Sequence, residues 1–486
     1  MHTPTFALEA PQGRRVAAPV PRGHEGPLRG PWDRGAWQSH ISSRAALAAG
    51  LIALSITLPA LADGGTGGGG TPVQGSGGSG AGSGSDADIA GEVLVKLRSG
   101  DALQPLLAKY PLTLMSRFGA RPIYRLQVIG NARVKGVLAG LALEPGVMIA
   151  EANATHRSPE ARKNVAWAIG TPQAYATQWA PQAMRLAEAH TIATGVGIRV
   201  AIIDTGVDLS HPLLAGRLLA GFDFVDFDAD PSEVGSVANA AYGHGTHVAG
   251  LVAMVAPGAK IMPLRALDPD GVGNAWVLAE ALLYAVDPDG DPNTDDGAHV
   301  INLSLGSLSR TRLLAAVADI ASCAAEVPDD PIGDRSDPGY NDDARRCQRG
   351  NGAVVVAASG NDASTSVKQY PAAEGAHGLL AIAASNASRK LAAFSNFGSW
   401  INMAAPGENI TSAVPGGYGT WSGTSMAAPL AAGTAALLRS LDVGVAPTDV
   451  VNRSRRASAM RCGTQLRQVD AAAALRHVVP AALPCP

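Results

Sequence analysis

Five apolar runs, each six or seven residues long, recur between residues 197 and 384 and constrain the fold more than any other feature. Such continuous runs of Val, Ile, Leu and Ala are typical of strands buried on both faces. Helical segments separate the runs, and strands that alternate with helices form a parallel sheet with a helical layer on each face. The chain of 486 residues is 46% hydrophobic and 16% charged, so it can bury a core of this size. We therefore predict an α/β fold with a mostly parallel sheet, its strands at residues 197–203, 260–265, 298–303, 353–358 and 379–384.

The amino-terminal part is predicted to be a secretory leader followed by a flexible linker. Within residues 1–62, the apolar run 45–60 follows a basic residue and ends in a small-x-small sequence, so we expect signal peptidase to cut after Ala62. A single transmembrane anchor is the alternative, although the run is short for a bilayer span. Residues 63–85 are almost entirely Gly and Ser, a composition that has no capacity to pack.

A small α+β domain is predicted for residues 86–158. Residues 92–97 alternate apolar and polar side chains, and residues 122–129 and 147–150 also have strand character. Helical spacing appears between the first two strands and again at 134–143. The pattern is that of a βαββαβ, ferredoxin-like unit. Because this unit lies between the signal peptide and the large sheet domain of residues 159–486, we interpret it as a pro-region.

Three short segments together predict nucleophilic catalysis. Asp204 closes an apolar strand, His244 lies between glycines at the start of a helix, and Ser425 follows the tight turn at Gly423 before an alanine-rich helix. Each feature alone has an ordinary structural explanation, as a buried Asp, a metal ligand or a helix cap. A serine nucleophile, however, needs an adjacent base, and the base needs a carboxylate that holds its tautomer.

The chain order Asp204, His244, Ser425 is the subtilisin order and differs from that of the chymotrypsin and α/β-hydrolase groups. On these motifs, residues 160–478 resemble the subtilisin-like serine peptidases, or subtilases. The resemblance implies a secreted endopeptidase in which Asp204 orients His244, His244 acts as general base and then acid, and Ser425 forms an acyl-enzyme. It also implies that Asn361 is the side-chain donor of the oxyanion hole.

The resemblance further implies where substrate and inhibitor bind. An extended peptide would add as a strand along the catalytic domain, in contact with Ser304, Leu305, Gly306, Ala358, Ser359 and Gly360, and with Gln369 at the specificity pocket. The pro-region would act as an inhibitor whose tail lies in the active site until it is cut between residues 156 and 163. The expected partners are protein or peptide substrates and the pro-region. We expect a mature monomer, secreted or periplasmic, without a membrane partner.

Charge and cysteine content add two expectations. The net charge is -3, so no overall basic field favours a nucleic-acid partner. Four cysteines behind a signal peptide suggest disulfides, and pairing along the sequence is the simplest of three connectivities. We therefore predict the bridges Cys323 to Cys347 and Cys462 to Cys485.

The chemistry of such a peptidase requires no cofactor, but a structural calcium ion is predicted. Leu213 stands where many subtilases carry a calcium-binding Asp, which makes the usual site doubtful. The acidic loop 287–296 places carboxylates on alternate residues, an arrangement that can wrap a hard cation. Its expected ligands are Asp287, Asp289, Asp291 and Asp295. The alternative is a solvated acidic turn.

Two other functions remain open from the sequence. The first is a catalytically silent extracellular binding protein on the same fold, and the second is an acyl hydrolase such as an esterase. An intact triad favours catalysis over binding. The triad order favours a peptidase over an esterase.

Overall fold

The computed structural model describes residues 88–119, 121–163, 167–291, 293–323, 346–347, 352–376, 378–460 and 467–480. The predicted leader, the linker, Cys462 and Cys485 lie outside these ranges. Within them, no helix combines the length and apolar character needed to cross a bilayer.

The pro-region forms an antiparallel sheet with two helices, which confirms the predicted order of elements. Its elements are β1 (Asp88–Leu97), α1 (Leu103–Lys109), β2 (Leu112–Arg117), β3 (Ile123–Val128), α2 (Val134–Leu141) and β4 (Val147–Arg157). The strand order is β2-β3-β1-β4. The sequence analysis did not separate β2 from the helix before it, and β4 is seven residues longer than the predicted 147–150.

The large sheet has nine strands in the order β16-β17-β13-β12-β11-β10-β6-β8-β7, and the described pairs are parallel except the one at the β16 edge. The five predicted runs correspond to β6, β8, β10, β11 and β12, so the α/β prediction is confirmed. The bounds are β6 (Arg199–Asp204), β7 (Phe222–Asp223), β8 (Lys260–Arg265), β10 (Val300–Leu303), β11 (Val354–Ala358), β12 (Leu379–Ser385), β13 (Met403–Pro406), β16 (Ala459–Met460) and β17 (Arg467–Gln468).

Helices cover both faces of this sheet because successive strand residues point to opposite sides. Val200 and Ile202 belong to one buried cluster, with helices α7 (His244–Val255) and α10 (Thr424–Leu441). Ala201 and Ile203 belong to the other, with helices α8 (Ala275–Val286) and α9 (Arg312–Ser322). The helices after the pro-region are α3 (Pro159–Lys163), α4 (Pro172–Thr177), α5 (Trp179–Ala183), α6 (Leu186–Ala189), α7 (His244–Val255), α8 (Ala275–Val286), α9 (Arg312–Ser322), α10 (Thr424–Leu441), α11 (Pro447–Arg456) and α12 (Ala471–Arg476).

The pro-region and the large domain share both a sheet and a core. The end of β4 pairs antiparallel with β9 (Val272–Asn274) of the large domain. Phe118 of the pro-region packs edge-on against Trp276 of α8, with ring centroids 5.3 Å apart. Leu94 and Ile123 join the same cluster. The predicted pro-region thus covers apolar surface of α8 and extends the large domain at β9.

Two smaller features complete the described chain. A hairpin of β14 (Ile410–Val414) and β15 (Gly417–Trp421) takes up β5 (Ala168–Ile169) as a third strand. Cys323 and Cys347 form a disulfide, which confirms the first predicted bridge.

Candidate active site

Asp204 lies at the carboxyl end of β6, where a parallel sheet commonly carries its ligand site. Its side chain is fully buried. Asp204 Oδ1 accepts hydrogen bonds from the Thr205 N–H at 2.8 Å and from His244 Nδ1 at 2.6 Å. These two donors reduce the cost of burying the carboxylate at Oδ1, whereas Oδ2 is buried without a hydrogen-bond partner among the described residues.

His244 is the first residue of α7 and is positioned by the glycine before it. Gly243 has φ of 86°, a left-handed conformation that favours glycine. The His244 ring is fully buried and packs edge-on against Trp421, with centroids 5.3 Å apart. With Nδ1 donating to Asp204, the other ring nitrogen of His244, Nε2, lies 3.1 Å from Glu160 Oε2, the oxygen that Ser425 Oγ also contacts.

Ser425 lies in the first turn of α10, directly after Thr424 and Gly423. Its Oγ is 2.5 Å from Glu160 Oε2 and 3.1 Å from the Ser304 carbonyl oxygen. Ser304 Oγ in turn donates to the Ser425 carbonyl at 2.9 Å. The predicted nucleophile is therefore held against the end of β10.

Asn361 turns its amide nitrogen toward the carboxylate of Glu160, which Ser425 also contacts. Its Oδ1 accepts hydrogen bonds from the N–H and the hydroxyl of Thr424, both at 2.9 Å, and this fixes which end of the amide faces the site. Its Nδ2 donates to Glu160 Oε1 at 2.8 Å. A donor in this place is suited to a developing oxyanion.

Glu160 of α3, the helix that directly follows the predicted pro-region, closes the site, and sequence reasoning did not identify it. The side chain is fully buried, and its carboxylate lies between His244 Nε2, at 3.1 Å, and Ser425 Oγ. Burial opposes the charged form of His244, but Asp204 and then Glu160 outweigh it and raise the pKa of His244 to about 10. The raised pKa favours an imidazolium at neutral pH, held between the carboxylates of Asp204 and Glu160.

The pro-segment before Glu160 occupies the predicted substrate cleft. The Arg157 N–H donates to the Gly306 carbonyl at 2.9 Å, and the Gly306 N–H donates to the Arg157 carbonyl at 3.0 Å. The Ser158 N–H donates to the Gly271 carbonyl at 3.1 Å. Together with the β4 and β9 pairing, these bonds place residues 155–158 as a strand between two edges of the catalytic domain.

The other predicted substrate residues lie around the same cleft. Leu305, Ala358 and Ser359 are buried at the ends of β10 and β11. Gly360 has φ of +99°, and a side chain there would meet the Gln369 and Asn396 side chains. Gln369 is 1% exposed and also lies against Gly306, so it fills the space between the two strand ends.

The acidic loop differs in part from the predicted calcium site. Asp287, Asp289 and Asp296 each offer a carboxylate oxygen, and these atoms lie within 4.8 Å of one another. Asp295 does not join them, because its Oδ1 pairs with Arg199 Nη2 at 2.5 Å. Asp291 Oδ1 instead accepts hydrogen bonds from Asn293. The group therefore includes two of the predicted ligands, Asp287 and Asp289, together with Asp296, and a calcium ion at this loop stays a prediction.

Comparison with known proteins agrees with this geometry. The model of the subtilase family matches residues 195–465. The chain belongs to the subtilase family. Subtilases are serine endopeptidases, and this is the activity that membership assigns to the chain.

Similar proteins lead to the same family. The chain is 32% identical over 373 residues to a thermophilic serine proteinase of Bacillus sp. strain AK1, which covers 73% of this chain and 79% of that relative. It is 36% identical to thermitase of Thermoactinomyces vulgaris over 54% of this chain and 82% of that protein. The crystal structure of fervidolysin, described as a keratinolytic enzyme related to subtilisin, from Fervidobacterium pennivorans, matches 81% of this chain and 62% of that chain. Its TM-score is 0.61 at 22% identity, so it shows the shared fold alone.

Proposed function

We propose that this subtilase is the precursor of a secreted peptidase that cuts off its own pro-region and hydrolyses peptide bonds through an acyl-enzyme on Ser425. The observation that carries the proposal is the convergence of His244, Ser425 and Asn361 on one carboxylate. The carboxylate of Glu160 occupies the position that we expect for the reacting carbonyl of a substrate.

In the proposed reaction, His244 Nε2 takes the proton of Ser425 Oγ, and Oγ attacks the scissile carbonyl carbon. Asp204 accepts a hydrogen bond from the Nδ1–H of His244, which keeps this proton, and the carboxylate stabilises the imidazolium that forms. Asn361 Nδ2 donates to the carbonyl oxygen as its negative charge develops. His244 then gives the proton to the leaving amine, and water repeats the sequence on the acyl-enzyme. Glu160 must leave before this reaction can begin.

The path of residues 155–158 supports a route for substrates. A peptide in their place would gain the backbone bonds to Gly306 and Gly271 as an added strand. Pro159 ends this path because it has no N–H and begins α3, which carries the backbone away from Ser425. The proposal therefore treats the bound pro-segment as an inhibitor in this conformation.

The experiment expresses the parent and Ser425→Ala precursors in a protease-free secretion host. The parent should release a shorter enzyme that reacts with a fluorophosphonate and cleaves casein, whereas Ser425→Ala should accumulate uncut. Maturation of Ser425→Ala would refute self-processing. A parent that never reacts with the fluorophosphonate would favour a silent binding protein, and hydrolysis of short-chain esters without casein cleavage would favour an esterase.

A further inference from the structure

Glu233 lies in the connection between β7 and α7 and contacts both segments that carry the Asp204 and His244 pair. Its Oε1 accepts hydrogen bonds from the Thr205 hydroxyl at 2.6 Å and from the Gly243 N–H at 3.0 Å. Its Oε2 accepts from the Thr246 hydroxyl at 2.7 Å and from the Thr246 N–H at 3.2 Å. Four donors thus meet one carboxylate.

Two of these donors are the backbone N–H groups of Gly243 and Thr246 at the start of α7, where such groups have no partner within the helix. Gly243, the residue before the helix, has no side chain that could cap them. Glu233, 10 residues before Gly243, supplies the missing acceptor. Burial raises the pKa of Glu233 to about 7, and above this pH its negative charge lies at the favourable end of the helix dipole.

The Thr205 hydroxyl connects Glu233 to the strand that carries Asp204. Thr205 Oγ1 donates to Glu233 and accepts the Gly245 N–H at 3.0 Å, while the Thr205 N–H donates to Asp204 Oδ1. The Thr246 hydroxyl makes a parallel connection, because it accepts the Asp208 N–H at 2.9 Å. Glu233 is the centre of a network that joins residues 204–208 to residues 243–246.

We propose that Glu233 is a positioning residue for peptide hydrolysis, which fixes His244 against Asp204 without contacting substrate. The inference rests on the proposed function of the triad. Close approach of the two segments is built into the backbone, since a side chain at Gly245 would collide with Gly206 and Asp204. Glu233 holds this approach in register, so that His244 Nδ1 stays at 2.6 Å from Asp204 Oδ1.

The main test is Glu233→Gln in the processed enzyme. Glutamine is close to glutamate in size. Its NH2 group, however, would replace a carboxylate oxygen that accepts hydrogen bonds from two donors, so the network loses at least one hydrogen bond. Displacement of a catalytic group by about 1 Å can cost about 100-fold in rate. We therefore expect kcat to fall by about 10- to 100-fold, with KM for a chromogenic peptide within about twofold of the parent value, both per fluorophosphonate-reactive site.

Asp470→Asn is the matched control. Asp470 also caps a helix, because it accepts the Ala473 N–H at 2.9 Å, and it pairs with Arg185 far from the triad. This variant should lower the melting temperature and leave kcat unchanged. Equal losses of kcat in Asp470→Asn and Glu233→Gln would mean that Glu233 acts only on general stability, and the proposal would be wrong.

Thr205→Val is the second variant and keeps the proposal testable if Glu233→Gln does not mature. It preserves the shape of the side chain and removes the hydroxyl that joins Glu233 to the Asp204 strand. We expect a loss of kcat of about 10-fold without a matching rise of KM. Parental kcat in Thr205→Val or in matured Glu233→Gln would overturn the inference. Activity in Ser425→Ala would instead refute the proposed function.

Discussion

At the scale of single residues, Asn361 owes its orientation to Thr424. Because both Thr424 donors point at Asn361 Oδ1, the amide nitrogen faces the other way, toward the Glu160 carboxylate. A hydrogen bond aimed at a developing charge stabilises the transition state more than the bound substrate.

For that reason we predict that Asn361→Ala lowers kcat by about 100- to 1000-fold and leaves KM nearly unchanged. Steady-state kinetics on a chromogenic peptide measure both constants. Asn386→Ala is the control, because Asn386 bonds only within an exposed turn, at Ser388 and Lys390. An Asn361→Ala enzyme with parental kcat would assign the oxyanion donor to another group.

The three residues of the proposed triad stand out in the sequence because each lies in a short local pattern, such as the glycines around His244. Glu160 does not, since its place in the site depends on where α3 puts its side chain relative to Ser425, 265 positions later. A proline followed by an acidic residue signals only a helix start. Trp421 could not be assigned to the site from the sequence either, because its contact with His244 forms only in the folded structure.

At the scale of elements, α3 follows the end of β4 and places Glu160 beside His244. This contact makes the stability of the proposed precursor depend on pH. The folded precursor raises the pKa of His244 above the value of about 6.5 for an unfolded histidine. The stability that this proton contributes is fully present below about pH 6.5 and is lost as the pH rises through about 10.

We therefore predict that the melting temperature of the Ser425→Ala precursor falls between pH 7 and pH 10. In the Glu160→Gln, Ser425→Ala double variant the fall should be smaller, because one of the two carboxylates beside His244 is neutral. Differential scanning calorimetry of both proteins in matched buffers measures the difference. Glu144→Gln in the same background is the control, since Glu144 pairs with Lys109 on the outside of the pro-region. Parallel curves for all three proteins would contradict the prediction.

Strands buried on both faces were predictable because nearly every residue in them is apolar, as in β11 and β12. Strand β2 is different, because most of its residues are exposed or half-buried. The pairing of β4 with β9 was also beyond the sequence, since hydrogen bonds between backbones leave no mark on side-chain identity.

At the scale of the whole molecule, the acidic loop brings like charges together beside the sheet. Burial, and then the negative charge of Asp289, raise the pKa of Asp296. The cation site remains a prediction, now with Asp287, Asp289 and Asp296 as its ligands. Local spacing could not exclude Asp295, because Arg199, its partner, comes from β6.

Millimolar calcium should raise the melting temperature of the enzyme, because an ion that binds only the folded state stabilises it by mass action. The Asp289→Ala, Asp296→Ala double variant should lose this rise, and Asp291→Ala should keep it. Thermal melts with calcium and with a chelator provide the comparison. If calcium raises the melting temperature of the double variant as much as that of the parent, the loop is only a charged turn.

Trp276 gives the molecule a built-in optical signal. In the precursor its indole is 1% exposed and lies against Phe118 of the pro-region. Under the proposed release of residues 88–158, the ring would lose the cover of Phe118, and the fluorescence of an indole moves to longer wavelengths when it is hydrated. Because the chain has seven tryptophans, the signal of Trp276 is the part of the emission change that a Trp276→Phe variant loses, and this part would follow the release in real time without an attached label.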